Sequence, residues 1–527
     1  MNQPFSPQTP GVYINEINAF PNSVAAVATA IPAFIGYTPQ ALYEGGSYLN
    51  KPLMISSFAE FQSIYCFPNP LAPADPAKQY APQYYLVQQQ SQPATGDYII
   101  TNNHYYAILP DPNTIYYLYN SVQLFYQNGG ANAYIVSVGT YGAPSGIPMA
   151  ASGQLVNPNV RLNDLAGGLA LLLDEQEPTM YICPEASLLS VADNATLMQE
   201  MLLQSTVTQT AICIFDLIGG RNPDPLLYTN DIEKFRESTG ETGLNYGAAY
   251  YPFIGTTIMQ GKDVDYTNLF GGDITQLEPL LNPADDPNPA AAAILYNIKN
   301  SPGTVLTVSQ YNAALISASA IYSQIMQHVL SDANILPASG GIAGVITITD
   351  NNAGPWEAPA NTTIAGAVSL PIKLSETQQG YLNLDPVTGK SINAIRLFNG
   401  LGILIWGART LDGNNMDWRY IPVRRTATFI EQSCKMAARA YVFQPNDKNT
   451  WEAVKSLIGN FLTSVWKEGG LMGASPSDAF SVDCGLGSTM TSDDIINGIM
   501  VVAIKVAIVR PAEFIVITFQ QEMAVSG

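Results

Sequence analysis

The residues able to do chemistry are few and scattered. There are two histidines, His104 and His328, far apart in sequence, and no cysteine stands near either. Metal centres and nucleophile–base pairs need such groups converging, so neither histidine forms an obvious metal or catalytic set. The five cysteines, Cys66, Cys183, Cys213, Cys434 and Cys484, are far apart and mostly lie in apolar runs, which reads as reduced core thiols. Asp216 ends an apolar run, where open α/β sheets place functional groups. With no partner in sequence, a cap or loop carboxylate is the favoured reading. Gly400-Leu-Gly402 lacks the third glycine of a dinucleotide fingerprint and leads into a strand, and no phosphate loop or nucleophile elbow occurs. Asp285-Asp286 and Asp493-Asp494 lack calcium-loop spacing, the latter reading as the start of a helical turn. Tyr80, Tyr84, Tyr85, Tyr105 and Tyr106 have one cation beside them, Lys78, so they do not make a basic-aromatic nucleic-acid groove. The expectation is a chain without catalytic residues, metal ligands or a cofactor.

The surrounding elements point to a multi-domain α/β (mixed α+β) protein. Apolar strand-like runs at Val24–Tyr37, Ala133–Val138, Thr179–Cys183 and Thr210–Phe215 alternate with helical spacing at Thr114–Gln127, Leu162–Asp174 and Ala192–Gln204. Uninterrupted apolar strands between helices indicate a parallel sheet covered on both faces. Residues 68–112, rich in Pro, Gln, Ala and Tyr, read as a surface insertion or long loop. Residues 219–245 and 282–289 read as loops. A long helix is expected at Ser309–Leu330 and a β-like segment at Ile342–Thr349. Farther on, helices are expected at Thr426–Tyr441 and Thr450–Trp466, the latter with a stripe of Trp451, Val454, Ile458, Phe461, Leu462 and Val465. Strands are expected at Gly11–Asn18, Gly402–Trp406, Ile499–Val509 and Phe514–Gln521. Strands at both chain ends carry unpaired N–H and C=O groups and must pair, within the chain or with another one.

Composition narrows the setting. The 527 residues include 47% apolar and only 12% charged, about half the usual charged share, so much of the surface is expected to be covered by other protein. The net charge of −20 disfavours nucleic-acid and anionic-membrane binding. Residues 1–389 hold 9 basic and 30 acidic side chains, a net of −21; residues 390–527 hold 13 and 12, a net of +1. The two parts are therefore expected to face different surroundings. Met1–Pro10 has no basic start and no apolar core of a signal peptide, and Gly498–Phe519 is broken by Lys505, Arg510 and Pro511. Folding in the cytoplasm without membrane insertion is the expectation.

Several segments resemble the phage tail sheath family, in family order across nearly the whole chain. They are Thr9-Pro-Gly-Val-Tyr-Ile-Asn-Glu-Ile17, Phe125-Tyr-Gln-Asn-Gly-Gly-Ala-Asn-Ala-Tyr-Ile-Val136, Trp356-Glu-Ala-Pro-Ala-Asn361, Asn393-Ala-Ile-Arg396 and Ile405-Trp-Gly-Ala-Arg-Thr410. The densest agreement follows, in Trp418-Arg-Tyr-Ile-Pro-Val-Arg-Arg425, Phe429-Ile-Glu-Gln432, Phe443-Gln-Pro-Asn-Asp447, Thr450-Trp451 and Pro511-Ala-Glu-Phe514. Residues 68–112 and 220–340 agree poorly. Asn18-Ala-Phe-Pro-Asn-Ser23 is closer to sheaths of phage tail-like injection particles.

The resemblance implies a contractile sheath subunit: stacked six-membered rings around an inner tube, shortening from a metastable extended form to drive the tube through a target envelope. It implies an N-terminal arm (1–22), an outer α/β domain (23–370), an inner C-terminal domain facing the tube (371–510) and a C-terminal arm (511–527). The arms would add strands to neighbouring copies through Val12, Tyr13, Ile14 and Ile17, and through Phe514, Ile515, Val516 and Thr518. Lys455 and Lys467 are either tube contacts or solvated helix positions. Implied partners are other copies of the chain, the inner tube, baseplate and terminator or cap proteins and a sheath paralogue, with assembly in the bacterial cytoplasm. A static shell or surface-layer protein shares the low charge and terminal strands, and an α/β enzyme with a divergent site is the remaining alternative.

Overall fold

The computed structural model describes residues 24–66, 82–93, 98–150, 153–300 and 306–516, which fall into two compact units. The larger comprises residues from Ala28 to Arg425 together with those from Arg510 onward; the smaller comprises Thr426–Val509 with the residues up to Val27.

The larger unit is built on a nine-stranded sheet. Its strands are β1 (Pro32–Thr38), β2 (Leu53–Ile55), β3 (Ala133–Thr140), β4 (Met180–Ile182), β5 (Ile212–Asp216), β6 (Gly247–Tyr251), β7 (Thr362–Thr363), β8 (Asn393–Phe398) and β9 (Gly402–Trp406), in the spatial order β7-β9-β8-β6-β5-β4-β1-β3-β2. The pairs β3–β1, β1–β4, β4–β5, β5–β6 and β6–β8 are parallel, and antiparallel strands finish both sides. Every residue of β1, β4, β5 and β6 is buried, which is why these strands read as continuous apolar runs. Helices α1 (Leu118–Gln127), α2 (Leu162–Leu171) and α3 (Val191–Thr208) fall where helical spacing places them. Gly400 and Gly402 have positive φ at the β8–β9 turn, a turn-forming role rather than a phosphate-binding one.

Four expectations are corrected. Ile342–Thr349 is not a strand but the middle of helix α4 (Ser339–Ala353). Its β-branched residues favour strand locally, yet the helix is buried from Ser339 to Thr347 and packs against α1. A methyl group on Gly340 or Gly344 would collide with the carbonyl oxygens of Ser121 or Phe125, so the two helices approach closely only because these positions are glycine. Tertiary packing overrides propensity here.

The Ser309–Leu330 helix is two helices, Val308–Ala318 and Ala320–Ala333, because the Ser319 hydroxyl accepts a hydrogen bond from Tyr322 N at 3.2 Å and caps the second. Within the expected loop at 219–245 lies a helix, Thr229–Ser238, whose buried residues are only Ile232, Phe235 and Arg236, too few for an apolar stripe. Residues 84–110, expected as loop, hold an antiparallel sheet of Tyr84–Gln89, His104–Pro110 and Tyr98–Thr101. Tyr84, Leu86, Ile99 and Ile108 from this sheet share a second hydrophobic core with Met259, Leu277, Tyr311, Tyr322 and Val329. The two stretches that agree poorly with the family thus fold together.

The smaller unit contains the C-terminal part of helix α5 (Ile421–Ala438), helix α6 (Lys448–Lys467) and a two-stranded antiparallel sheet of β10 (Phe480–Asp483) and β11 (Ala503–Val506). Asp447 caps α6 through Thr450 N at 3.0 Å, and Val454, Leu457, Ile458, Phe461, Leu462 and Val465 form its buried face. Strand β11 is shorter than the expected Ile499–Val509. Thr491 and Asp494 form a capping box at the start of Ser492–Ile496, as expected for a helical turn there. Among the described residues no helix is long and apolar enough to cross a membrane.

Candidate assembly segments and strand-end carboxylates

Open α/β sheets carry out chemistry beyond the carboxyl ends of their strands. Two buried carboxylates stand there, and both serve as helix caps. Asp216, ending β5, accepts hydrogen bonds from Ala338 N at 2.8 Å and Ser339 N at 3.0 Å, capping α4. Glu185, just past β4, accepts from Leu118 N at 2.9 Å and Tyr117 N at 3.3 Å, capping α1. Burial pushes the Glu185 carboxyl up to about 7 against the opposing pull of those backbone donors. It pushes Asp216 up to about 6 against the hydroxyl and N–H of Ser339.

A cavity of about 310 Å³ opens nearby between Leu155, Leu188, Phe253, Asp231 and Lys234, and no histidine or cysteine lines it. His104 is exposed, with Nδ1 2.6 Å from the Asn102 carbonyl, and His328 lies half-buried on the Ala320–Ala333 helix. All five cysteines are buried and free of disulfides, as expected. Among the described residues no three His, Cys, Asp or Glu side chains converge as a metal set.

The assembly segments differ in how far they can be followed. Val12, Tyr13, Ile14, Ile17 and Thr518 lie outside the described residues. Phe514, Ile515 and Val516 are described, belong to no strand of this chain, and are 69%, 79% and 88% exposed. Three consecutive exposed apolar residues are a surface liability unless something covers them.

Immediately before them the chain is fixed. The Glu513 carboxylate accepts from Arg409 Nε at 2.9 and 3.1 Å, Arg409 Nη2 at 2.6 Å, Tyr420 OH at 3.0 Å and Asn383 Nδ2 at 2.8 Å. Burial alone would raise this carboxyl. The bonds from Arg409 and Asn383, with the guanidinium charge, outweigh burial and hold it below the ordinary glutamate range. Arg510 donates to the Met416 carbonyl at 2.6 Å. No local pattern marks Glu513; its partners lie 93 to 130 residues away.

In the smaller unit β10 and β11 form a pair that no third strand joins among the described residues. Neither strand contains a fully buried residue. The pair packs against α6 through β10, and among the described residues its outer edges offer unpaired backbone groups. Lys455 is paired with Glu452 at 2.6 Å, whereas Lys467 is exposed. Twelve residues apart on α6, they are separated by about 18 Å along the axis and roughly 120° around it, so they do not form one patch. The sequence reading missed Phe443, which is fully exposed with φ 69°. Its turn is held by Asn446, which donates to the Ile499 carbonyl at 3.0 Å and accepts from Trp451 Nε1 at 2.7 Å. A bulky residue in left-handed backbone, with its ring in solvent, is an unusual arrangement.

Residues 414–522 match the phage tail sheath C-terminal domain. A stretch of 142 residues, 26% of this chain, is 29% identical to the tail sheath protein of Vibrio phage KVP40, and spans 20% of that relative's length. The whole fold is similar to the sheath of an extracellular contractile injection system, the PVC sheath complex in its contracted state. Identity is 23% and the TM-score 0.56, over 98% of this chain and 99% of that one. It is equally similar to the helical sheath of the anti-feeding prophage in its contracted state, at 23% identity and TM-score 0.56, over 98% and 100% of the two chains.

Proposed function

From the phage tail sheath C-terminal domain carried at residues 414–522, we propose that this chain is the structural subunit of a contractile sheath in a phage tail or phage tail-like injection particle. Copies stack as six-membered rings around an inner tube, start from a baseplate and end at a terminator or cap protein. The sleeve forms in the bacterial cytoplasm in an extended packing, then shortens and widens to drive the tube through a target envelope. No nucleotide is required, because the work comes from the difference in interface quality between two packings of the same subunits.

The observation that carries this reading is the occurrence in one chain of an open sheet and an exposed apolar segment. Among the described residues, strands β10 and β11 form a two-stranded sheet, and Phe514, Ile515 and Val516 are exposed apolar residues with no strand partner. In the proposed assembly, Val12, Tyr13, Ile14 and Ile17 of one copy and Phe514, Ile515, Val516 and Thr518 of another add strands to β10–β11 of a third. Some four to six backbone hydrogen bonds per strand, at about 1 kcal/mol each, give links of several kcal/mol before side-chain packing. The near-neutral section after residue 390 faces the tube, through α6 and its Lys455 and Lys467. The acidic remainder faces outward, where like charge keeps sleeves apart.

Negative-stain microscopy of the purified chain tests the proposal. Long hollow sleeves in two lengths and diameters are expected. Closed shells or flat sheets of a single lattice, or dispersed particles that turn over a substrate, would contradict it.

A further inference from the structure

The chain leaves the larger unit at Arg425, builds the smaller one, and rejoins the larger at Arg510. Its last fixed side chain before the exposed Phe514-Ile515-Val516 is Glu513, the one polar residue between Pro511 and Val516. The socket that receives Glu513 belongs to the body. Asn383, Arg409 and Tyr420 come from three separate stretches of it. The Arg409 side chain is 2% exposed and its Nη1 donates to the Gly413 carbonyl at 3.4 Å. A buried guanidinium fork is a site for a carboxylate, and bidentate pairing fixes direction as well as distance.

We propose that the Glu513–Arg409 pair is the anchor of the C-terminal arm, so that a pull on residues 514 onward bears on the parallel-sheet body and not on the smaller unit that precedes the arm in sequence. The proposal rests on the reading of residues 514–518 as a strand lent to a neighbouring copy. Without the anchor, the nearest remaining fixture on the body is Arg510, whose guanidinium donates to the Met416 carbonyl at 2.6 Å. Four residues of slack, about 14 Å of contour, would then enter the link. A longer tether lowers the local concentration of the lent strand at its acceptor, and it stretches before it transmits force. Glu513 is thus a positioning residue: it is held by its own chain and sets where the arm begins.

The test compares polymer yield and arm protection across variants of the full chain. Glu513→Gln keeps the shape and removes the charge. Asp332→Asn removes the carboxylate from another buried ion pair of the same unit, Arg221–Asp332 at 2.7 Å, about 180 residues before the arm in sequence. Both are expected to give folded subunits by circular dichroism. The expected result is that E513Q sediments as polymer about tenfold less than the parent at matched concentration and exposes Phe514 and Phe519 to chymotrypsin, while D332N matches the parent. Glu513→Asp, which keeps the charge, is expected to recover most of the loss. Tyr420→Phe removes a single bond to Glu513 and keeps the ion pair, with an expected loss of about threefold, and it gives the same reading should E513Q not fold. Polymer yields for E513Q and Y420F equal to the parent, or losses in D332N matching theirs, would overturn the anchor. A parent chain that forms no tubular polymer at all would overturn the sheath reading and the anchor together.

Discussion

The two units solve the same problem in opposite ways. In the larger, the strands β1, β4, β5 and β6 are buried along their whole length, and the sheet ends in short antiparallel edge strands, β2 with three residues and β7 with two. Short edges offer little to an incoming strand, so this sheet is closed to further pairing. In the smaller unit the sheet has, among the described residues, two strands of four residues each, half-exposed throughout, with free edges. One region is complete by itself and the other is left unfinished. Together with the exposed Phe514, Ile515 and Val516, the two regions fit the proposed repeating link of a body, an acceptor and a donor.

The sharpest way to break this contrast is to remove a donor. Deleting Met1–Asn18 is expected to abolish tubular polymer entirely while leaving a folded subunit, checked by microscopy alongside circular dichroism. Next in size is a pair of apolar truncations, one in each unit. Phe34→Ala removes a fully buried ring that packs edge-on to Phe125 at 5.5 Å between centroids, and is expected to destabilise the isolated subunit by about 3–5 kcal/mol in denaturant unfolding. Val482→Ala, on the half-exposed β10, is expected to cost at most about 1 kcal/mol in the same measurement. Its effect is expected to grow in the polymer, where an added strand covers it. Equal costs in the free subunit would erase the distinction between a finished and an unfinished sheet.

A pH series sharpens the contrast from the body's side. Glu185 and Asp216 have folded-state values near 7 and 6, raised above ordinary values of 4.5 and 3.8. A raised folded value means that their contribution is fully present below about pH 4 and is lost as pH rises through 6 and 7, by up to about 3 kcal/mol each. Glu513 and Asp385 are held low and act in the opposite sense, losing their contribution only in more acid solution. Melting of the larger unit is therefore expected to fall between pH 5 and 8, with a shallower slope in Glu185→Gln. The smallest expected effect is Lys467→Ala: at this exposed site the subunit's stability should change by less than about 0.5 kcal/mol, while cosedimentation with the tube protein should weaken.

What could be read from residues alone follows the same division. The parallel strands and α6 were legible because burial is uniform in the former and striped in the latter. Asp493-Asp494 was legible as a helix start because capping is local. Helix α4 was not legible. It is buried on nearly every side and so has no stripe, its residues favour strand, and its cap comes from Asp216, 122 residues away from Ala338. The strands within 84–110 were hidden by Tyr- and Gln-rich composition, since their apolar partners are supplied by residues 259–333. The Glu513 socket was invisible for the same reason, because Arg409 is 104 residues distant. The proposed lending of strands by the two tails rests on the resemblance, since a strand that pairs with another copy leaves no partner pattern in its own chain.

The central claim is that copies of this chain are joined by strands passed from the tails of one to the β10–β11 sheet of another. A density map of the assembled polymer tests it most directly. The account predicts β10–β11 widened to a larger sheet, with Val12–Ile17 and Phe514–Thr518 traced into it from other subunits. A two-stranded β10–β11 sheet in the polymer, with both tails lying on their own body, would contradict it.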